Sequence, residues 1–163
     1  MQAGRPAAQM STAMRLDAIQ ASRRYRVLLA DDDDGMRWLL SARLREAGHD
    51  VVEAADGLAL LACLDEAAHG DTAGYDVVLT DVEMPGLGGL DVLAGLGCAH
   101  WQTPFVLTTS SATVEVRATA RALGAVAVLE KPVAQRELET ALRAAVRSRR
   151  FVGGRPALVL GHA

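Results

Sequence analysis

Reactive side chains stand at the ends of short apolar runs in this 163-residue chain. Asp31, Asp32, Asp33 and Asp34 follow RVLLA at 26–30. Asp81 follows the run in YDVVLT, and the hydroxyls of Thr108, Thr109, Ser110 and Ser111 follow FVL. Lys131 follows VAVLE. Together they form a set: a carboxylate nucleophile, carboxylates for a divalent cation, a hydroxyl and an ammonium. That set suits phosphoryl transfer onto aspartate. Cation and ammonium neutralise the phosphoryl oxygens while a carboxylate oxygen attacks phosphorus.

Each member has a plainer reading. For Asp81 it is a helix cap, since an aspartate just past a strand often does only that. Pro85, Gly86, Gly88 and Gly89 break the backbone after it, and the next helix starts near Gly89, too far on for Asp81 to cap. A reactive or ligand carboxylate is the better reading. Four consecutive aspartates repel one another unless a cation or solvent relieves them. Asp33 or Asp34 can cap the helix that follows. Asp31 and Asp32 lie nearer the strand end and are the better metal ligands. A hard cation held by a few oxygens and several waters suits them, so magnesium is expected. Of 17 basic residues, 16 are arginine and Lys131 is the only lysine. A compact three-donor ammonium is not interchangeable with a guanidinium at a tight phosphate site.

The elements that must position these residues alternate along the chain. Strands are expected at 26–30, 50–54, around 77–79, at 105–108 and at 126–130. The runs are continuously apolar, as in strands buried on both faces of a parallel sheet. Helical patterns fall between them. Trp38, Leu39, Ala42 and 44–47 precede Gly48. Gly57 to about Ala68 places Leu58, Leu61 and Leu64 on one face. Further helices are expected from about Gly89 to Leu96, from Val114 to Leu123 and from Ala134 to about Arg149. Short connections and right-handed crossovers give a parallel sheet covered on both faces, with every strand's carboxyl end on one edge.

The chain suits one domain with a sizeable core. Half its residues are hydrophobic. No apolar run reaches membrane-spanning length and no signal-peptide core precedes the first strand. Cys63 and Cys98 fit neither a disulfide framework nor a metal cluster and read as small core residues in a reducing cytoplasm. The net charge of −3 is polarised: 15 acids against three arginines from 31 to 91, nine basic residues against three acids from 117 to 155. Most of these charges are ordinary solvated faces. Residues 1–22 read as a poorly ordered arm, 23–150 as the folded unit and 151–163 as a tail.

The motifs resemble the receiver domain of two-component response regulators over roughly 26–149. VLLADDDDGMRWLL resembles its first strand and acidic pair, LREAGHDVVEAADG its second strand, and YDVVLTDVEMPGLGGLDVL its phosphorylation strand and loop. TPFVLTTS and AVLEKPV resemble its threonine and lysine strands. The resemblance implies a flavodoxin-like three-layer α/β/α sandwich with strand order 2-1-3-4-5. It implies a magnesium-dependent transfer from a phosphohistidine, on a sensor histidine kinase or a histidine phosphotransfer protein, onto Asp81. Asp32 matches the direct magnesium ligand, Asp31 an acid acting largely through water, and Glu83 the position whose backbone carbonyl completes the metal shell. Thr109 matches the switch hydroxyl, and Lys131 the lysine on the phosphoryl oxygens. Glu83 and Ser111 sit where the family tunes phosphate loss. Val128 departs from the pattern, since an aromatic often stands there.

The expected function is a stand-alone, phosphorylation-gated signalling protein rather than a substrate-turnover enzyme. Its output face is expected on the fourth helix, fifth strand and fifth helix, for a downstream protein or a phosphorylation-linked homodimer. No helix-turn-helix motif follows, which argues against sequence-specific DNA binding despite Arg143, Arg147, Arg149 and Arg150. Those arginines are expected to keep the last helix soluble, favour its carboxyl end or meet an acidic partner. Competing readings are a phosphate shuttle in a multistep relay, a phosphorylation-independent module, and a phosphatase of the haloacid-dehalogenase type. The last resembles a DxD pattern that Asp81-Val82-Glu83 lacks.

Overall fold

The computed structural model describes residues 23–70, 74–97 and 101–151. The expected arm at 1–22, Cys98 and the tail from 152 lie outside the described residues. The elements are β1 (Arg26–Ala30), α1 (Asp34–Glu46), β2 (Asp50–Ala54), α2 (Gly57–His69), β3 (Val77–Asp81), α3 (Gly89–Gly97), β4 (Phe105–Thr109), α4 (Val114–Ala122), β5 (Ala127–Glu130) and α5 (Gln135–Phe151). The sheet has five parallel strands in the order β2-β1-β3-β4-β5. This is the flavodoxin-like α/β/α arrangement that the resemblance implies.

Strand side chains alternate between two cores. Val27, Leu29, Val77, Leu79 and Val106 pack with Leu40 and Leu44 of α1 and with Leu138, Ala141 and Leu142 of α5. Leu28, Ala30, Val78, Phe105 and Leu107 face the opposite layer, where α2, α3 and α4 contribute Leu60, Leu64, Val92, Leu93 and Ala120. The continuous apolar runs follow from this burial on both faces.

Several boundaries and faces differ from expectation. Helix α1 begins at Asp34, because Asp33 caps it: the Met36 N–H donates to Asp33 Oδ1 at 2.7 Å. Trp38 is 70% exposed and Leu58 72%, so neither belongs to the core. The buried stripe of α2 runs through Leu60, Leu64 and Ala67, an i, i+4, i+7 spacing that rivals the Leu58, Leu61, Leu64 stripe. Val126 already donates its N–H to the Phe105 carbonyl, yet β5 proper starts at Ala127. Helix α5 runs on to Phe151.

Because α5 runs antiparallel to the strands, it ends beside their starts. Arg149 Nη1 donates to the Tyr75 carbonyl at 2.9 Å and lies 3.6 Å from Asp76, whose carboxylate also accepts from the Arg26 N–H. Part of the basic terminus therefore fastens the last helix to the sheet instead of standing in solvent. The chain enters β1 at this same edge, where Tyr25 stacks on His49.

Candidate functional site

The opposite edge, at the strands' carboxyl ends, gathers Asp31, Asp32, Asp81, Glu83, Thr109 and Lys131. Parallel register does most of the gathering: Ala30 pairs with Thr80, Asp81 with Thr108, and Thr109 with Glu130. The residues that leave the strands thus emerge side by side. Asp31 is fully buried and Asp81 is 5% exposed, whereas Asp32 is exposed.

Lys131 joins the two buried acids. Its Nζ donates to Asp31 Oδ2 at 2.8 Å and to Asp81 Oδ2 at 2.7 Å. The other carboxylate oxygens are held by backbone. Asp31 Oδ1 accepts from the Asp33 N–H at 3.0 Å, and Asp81 Oδ1 from the Glu83 N–H at 3.3 Å. The Lys131 N–H donates to the Thr109 carbonyl at 2.8 Å, which sets the lysine's height against β4. Pro132 follows across a cis peptide bond.

The charges at the site do not balance. Burial pushes the Asp81 carboxyl above its ordinary value, and the opposing hydrogen bonds from Lys131 and the Glu83 N–H do not cancel that push. Burial alone would lower the Lys131 ammonium, but its hydrogen bonds to Asp31 and Asp81 outweigh burial and raise it. One ammonium serves two buried carboxylates, so the site is short of positive charge. Oxygens of Asp31, Asp32 and Asp81 all lie within 4.8 Å of one another. A hard divalent cation fits this donor set, because it takes carboxylate oxygens and keeps its remaining waters.

Gly89 sets how closely the next helix approaches. A Cβ there would stand 2.4 Å from the Asp81 carbonyl oxygen and 2.8 Å from Thr80 Cγ2. Gly89→Ala is therefore expected to push α3 away from β3 and to cost about 1–3 kcal/mol, read as a lower urea midpoint with an unchanged slope.

Thr109 is buried, and its hydroxyl is turned into its own loop. It donates to the Ser111 carbonyl at 3.3 Å and accepts from the Ser111 N–H at 3.1 Å. Thr108 points elsewhere, with Oγ1 donating to the Thr80 carbonyl at 3.4 Å. Two features escaped the sequence reading. Ser110 Oγ donates to the Glu83 carboxylate across the mouth of the site. On the β5 side a groove of about 490 Å³ opens between α4 and α5, lined by Arg117, Val128, Glu130, Lys131 and Glu137. No local pattern announces either, since each joins residues on different elements.

The response regulator receiver domain family matches residues 27–143. The chain belongs to that family. The transcriptional regulatory protein CpxR of Klebsiella pneumoniae is 37% identical over 122 residues, 75% of this chain and 49% of CpxR. The transcriptional regulatory protein TcrA of Mycobacterium tuberculosis is 37% identical over 119 residues, 73% of this chain and 45% of TcrA. The chain thus spans about half the length of these curated relatives. Among solved structures, the chemotaxis response regulator CheY4 of Vibrio cholerae is 30% identical, with a TM-score of 0.64, 75% of this chain and 99% of that one covered. A receiver domain from Clostridium thermocellum shares the fold, with a TM-score of 0.71 at 24% identity, over 79% of this chain and 99% of that one. Receivers are signalling modules that accept a phosphoryl group from histidine kinases with magnesium. No helix among the described residues is long and apolar enough to cross a membrane.

Proposed function

We propose that residues 23–150 of this receiver accept a phosphoryl group from a partner phosphohistidine onto Asp81 and signal by binding a protein in the phosphorylated state. The observation that carries this reading is the Lys131 ammonium shared between Asp31 and Asp81, with Asp32 beside them. In the transfer an Asp81 carboxylate oxygen attacks phosphorus, the P–N bond breaks, and the imidazole nitrogen leaves with the bonding pair. Lys131 would hold phosphoryl oxygens as charge passes to the acceptor. Asp32, Asp31, Asp81 and the Glu83 backbone carbonyl would hold magnesium. When bound, magnesium supplies the positive charge that one lysine cannot. Thr109 is the hydroxyl that turns to the phosphoryl group afterwards. The readout face is α4, β5 and α5, where Val114 is 79% exposed and the groove beside Lys131 opens. A downstream protein or a second copy would dock there, in the cytoplasm.

The test is intact mass after treatment with acetyl phosphate. A single phosphate adduct, labile to hydroxylamine, is expected with magnesium present. Chelating the metal is expected to slow its formation about 100-fold. Magnesium at about 100 times its dissociation constant should also stabilise the fold by about 2.7 kcal/mol. An adduct that forms equally well without metal would overturn the assignment of the acidic cluster.

A further inference from the structure

Arg117, on α4, is singled out by three contacts that no local sequence pattern announces. Its Nε donates to the Ala112 carbonyl at 3.1 Å, its Nη1 donates to the Val128 carbonyl at 3.0 Å, and its Nη2 lies 3.9 Å from the Glu130 carboxylate. One guanidinium thereby ties α4 to the β4–α4 loop and to β5. The planar fork of an arginine can reach two carbonyls at once. Among the described residues, strand β5 is the last in the sheet and its outer edge has no strand beside it. Arg117 occupies that edge at Val128.

The pinned loop is the one that begins at Thr109. The Thr109 hydroxyl is occupied twice by Ser111, so it is not presented to Asp81. Bringing it to a phosphoryl group on Asp81 requires those contacts to break, which releases Ser111 and with it one restraint on the segment through Ala112. Arg117 resists that movement through the Ala112 carbonyl. On β5 the facing side chain is Val128, half-buried against the second core, with neither a ring nor a hydroxyl to follow the loop.

We propose that Arg117 is a positioning residue that latches the β4–α4 loop in the form that withholds Thr109 from Asp81. Rearrangement of the loop around a phosphoryl group and release of Arg117 from Ala112 and Val128 are then one equilibrium. Because coupling is reciprocal, removing the latch favours the phosphorylated arrangement. Release also frees the Val128 carbonyl on the sheet edge and a guanidinium at the mouth of the adjoining groove. The chemistry at Asp81 is thus transmitted to the surface through an arginine. This inference rests on the phosphoacceptor reading above.

The experiment compares the full chain with Arg117→Ala and Arg117→Lys. Hydrogen exchange is followed at 110–113 and 127–130 without phosphate, and adduct formation with magnesium and acetyl phosphate is followed by intact mass. Exchange is expected to quicken at both segments in Arg117→Ala. Adduct formation should be about three- to tenfold faster, the equivalent of losing one hydrogen bond or a little less. Arg117→Lys should fall between, since an ammonium keeps the charge but lacks the extended planar fork that reaches both carbonyls. A merely structural arginine would lower thermal stability with no gain in rate. Adduct formation in Arg117→Ala that is unchanged or slower, in a wild type that labels normally, overturns the latch. A wild type that takes no phosphate overturns the phosphoacceptor reading instead, and the latch with it.

Discussion

Asp81→Asn is expected to reduce phosphate incorporation to below about 1% of wild type, because an amide offers no nucleophilic oxygen for the acyl phosphate. Intact mass after acetyl phosphate measures it directly, and normal labelling of the variant would remove Asp81 from the acceptor role. Loss of labelling should not come from loss of folding. Burial raises the Asp81 carboxyl, so between its ordinary value of 3.8 and its raised value the folded state binds more protons than the unfolded state. Stability then falls as pH rises through that window, and above it the whole loss is present. Asp81→Asn removes this contribution and relieves the competition for Lys131. Without magnesium at neutral pH, its thermal midpoint should equal or exceed that of the wild type. An activity-dead variant that is no less stable is the pattern of a site that gives up stability for function. A variant several degrees less stable would show that the Asp81 carboxylate is itself a structural support.

Lys131→Arg keeps the charge and should still lose about 100-fold in the rate of adduct formation. The ammonium sits 2.8 Å and 2.7 Å from two carboxylate oxygens, in a side chain only 14% exposed. A guanidinium is larger and planar, with its donors in a fixed fork. It cannot replace one small nitrogen between Asp31 and Asp81 without displacing one of them. The rate of adduct formation with acetyl phosphate, measured against magnesium concentration, separates the outcomes. A rate restored by high magnesium would mean that the substituted guanidinium disturbs only the metal. A rate that stays low would place the defect at the phosphoryl oxygens. Wild-type rates would show that the lone lysine of the chain carries no special requirement.

The fold was legible where one physical demand dominates a stretch. RVLLA, VVLTD and FVLTT are buried on both faces, and only a strand inside a covered parallel sheet needs such runs. Asp31, Asp81 and Lys131 were legible for the same reason: in a parallel sheet, the residue after each strand arrives at one edge. Helix faces were harder to read. Helix α2 is apolar enough that two leucine stripes compete, and only packing against Leu28 and Val78 selects Leu60 and Leu64. Asp33 and Asp34 are equivalent caps on paper. The structure uses Asp33 as the cap and pairs Asp34 with Arg37. Arg117, Ser110 and Arg149 act on carbonyls or side chains of other elements, and such partners leave no trace in local spacing.

The placement of the borders of the described fold has a practical meaning. Tyr25 enters β1, and Arg149 fastens α5, at the edge away from Asp81, one strand length or about 17 Å from the chemistry. A dye, a bead or a further folded unit joined close to Tyr25 or Arg149 would attach on the edge opposite Asp81. The described unit thus carries its points of attachment on one edge of the sheet and its reactive carboxylates on the other.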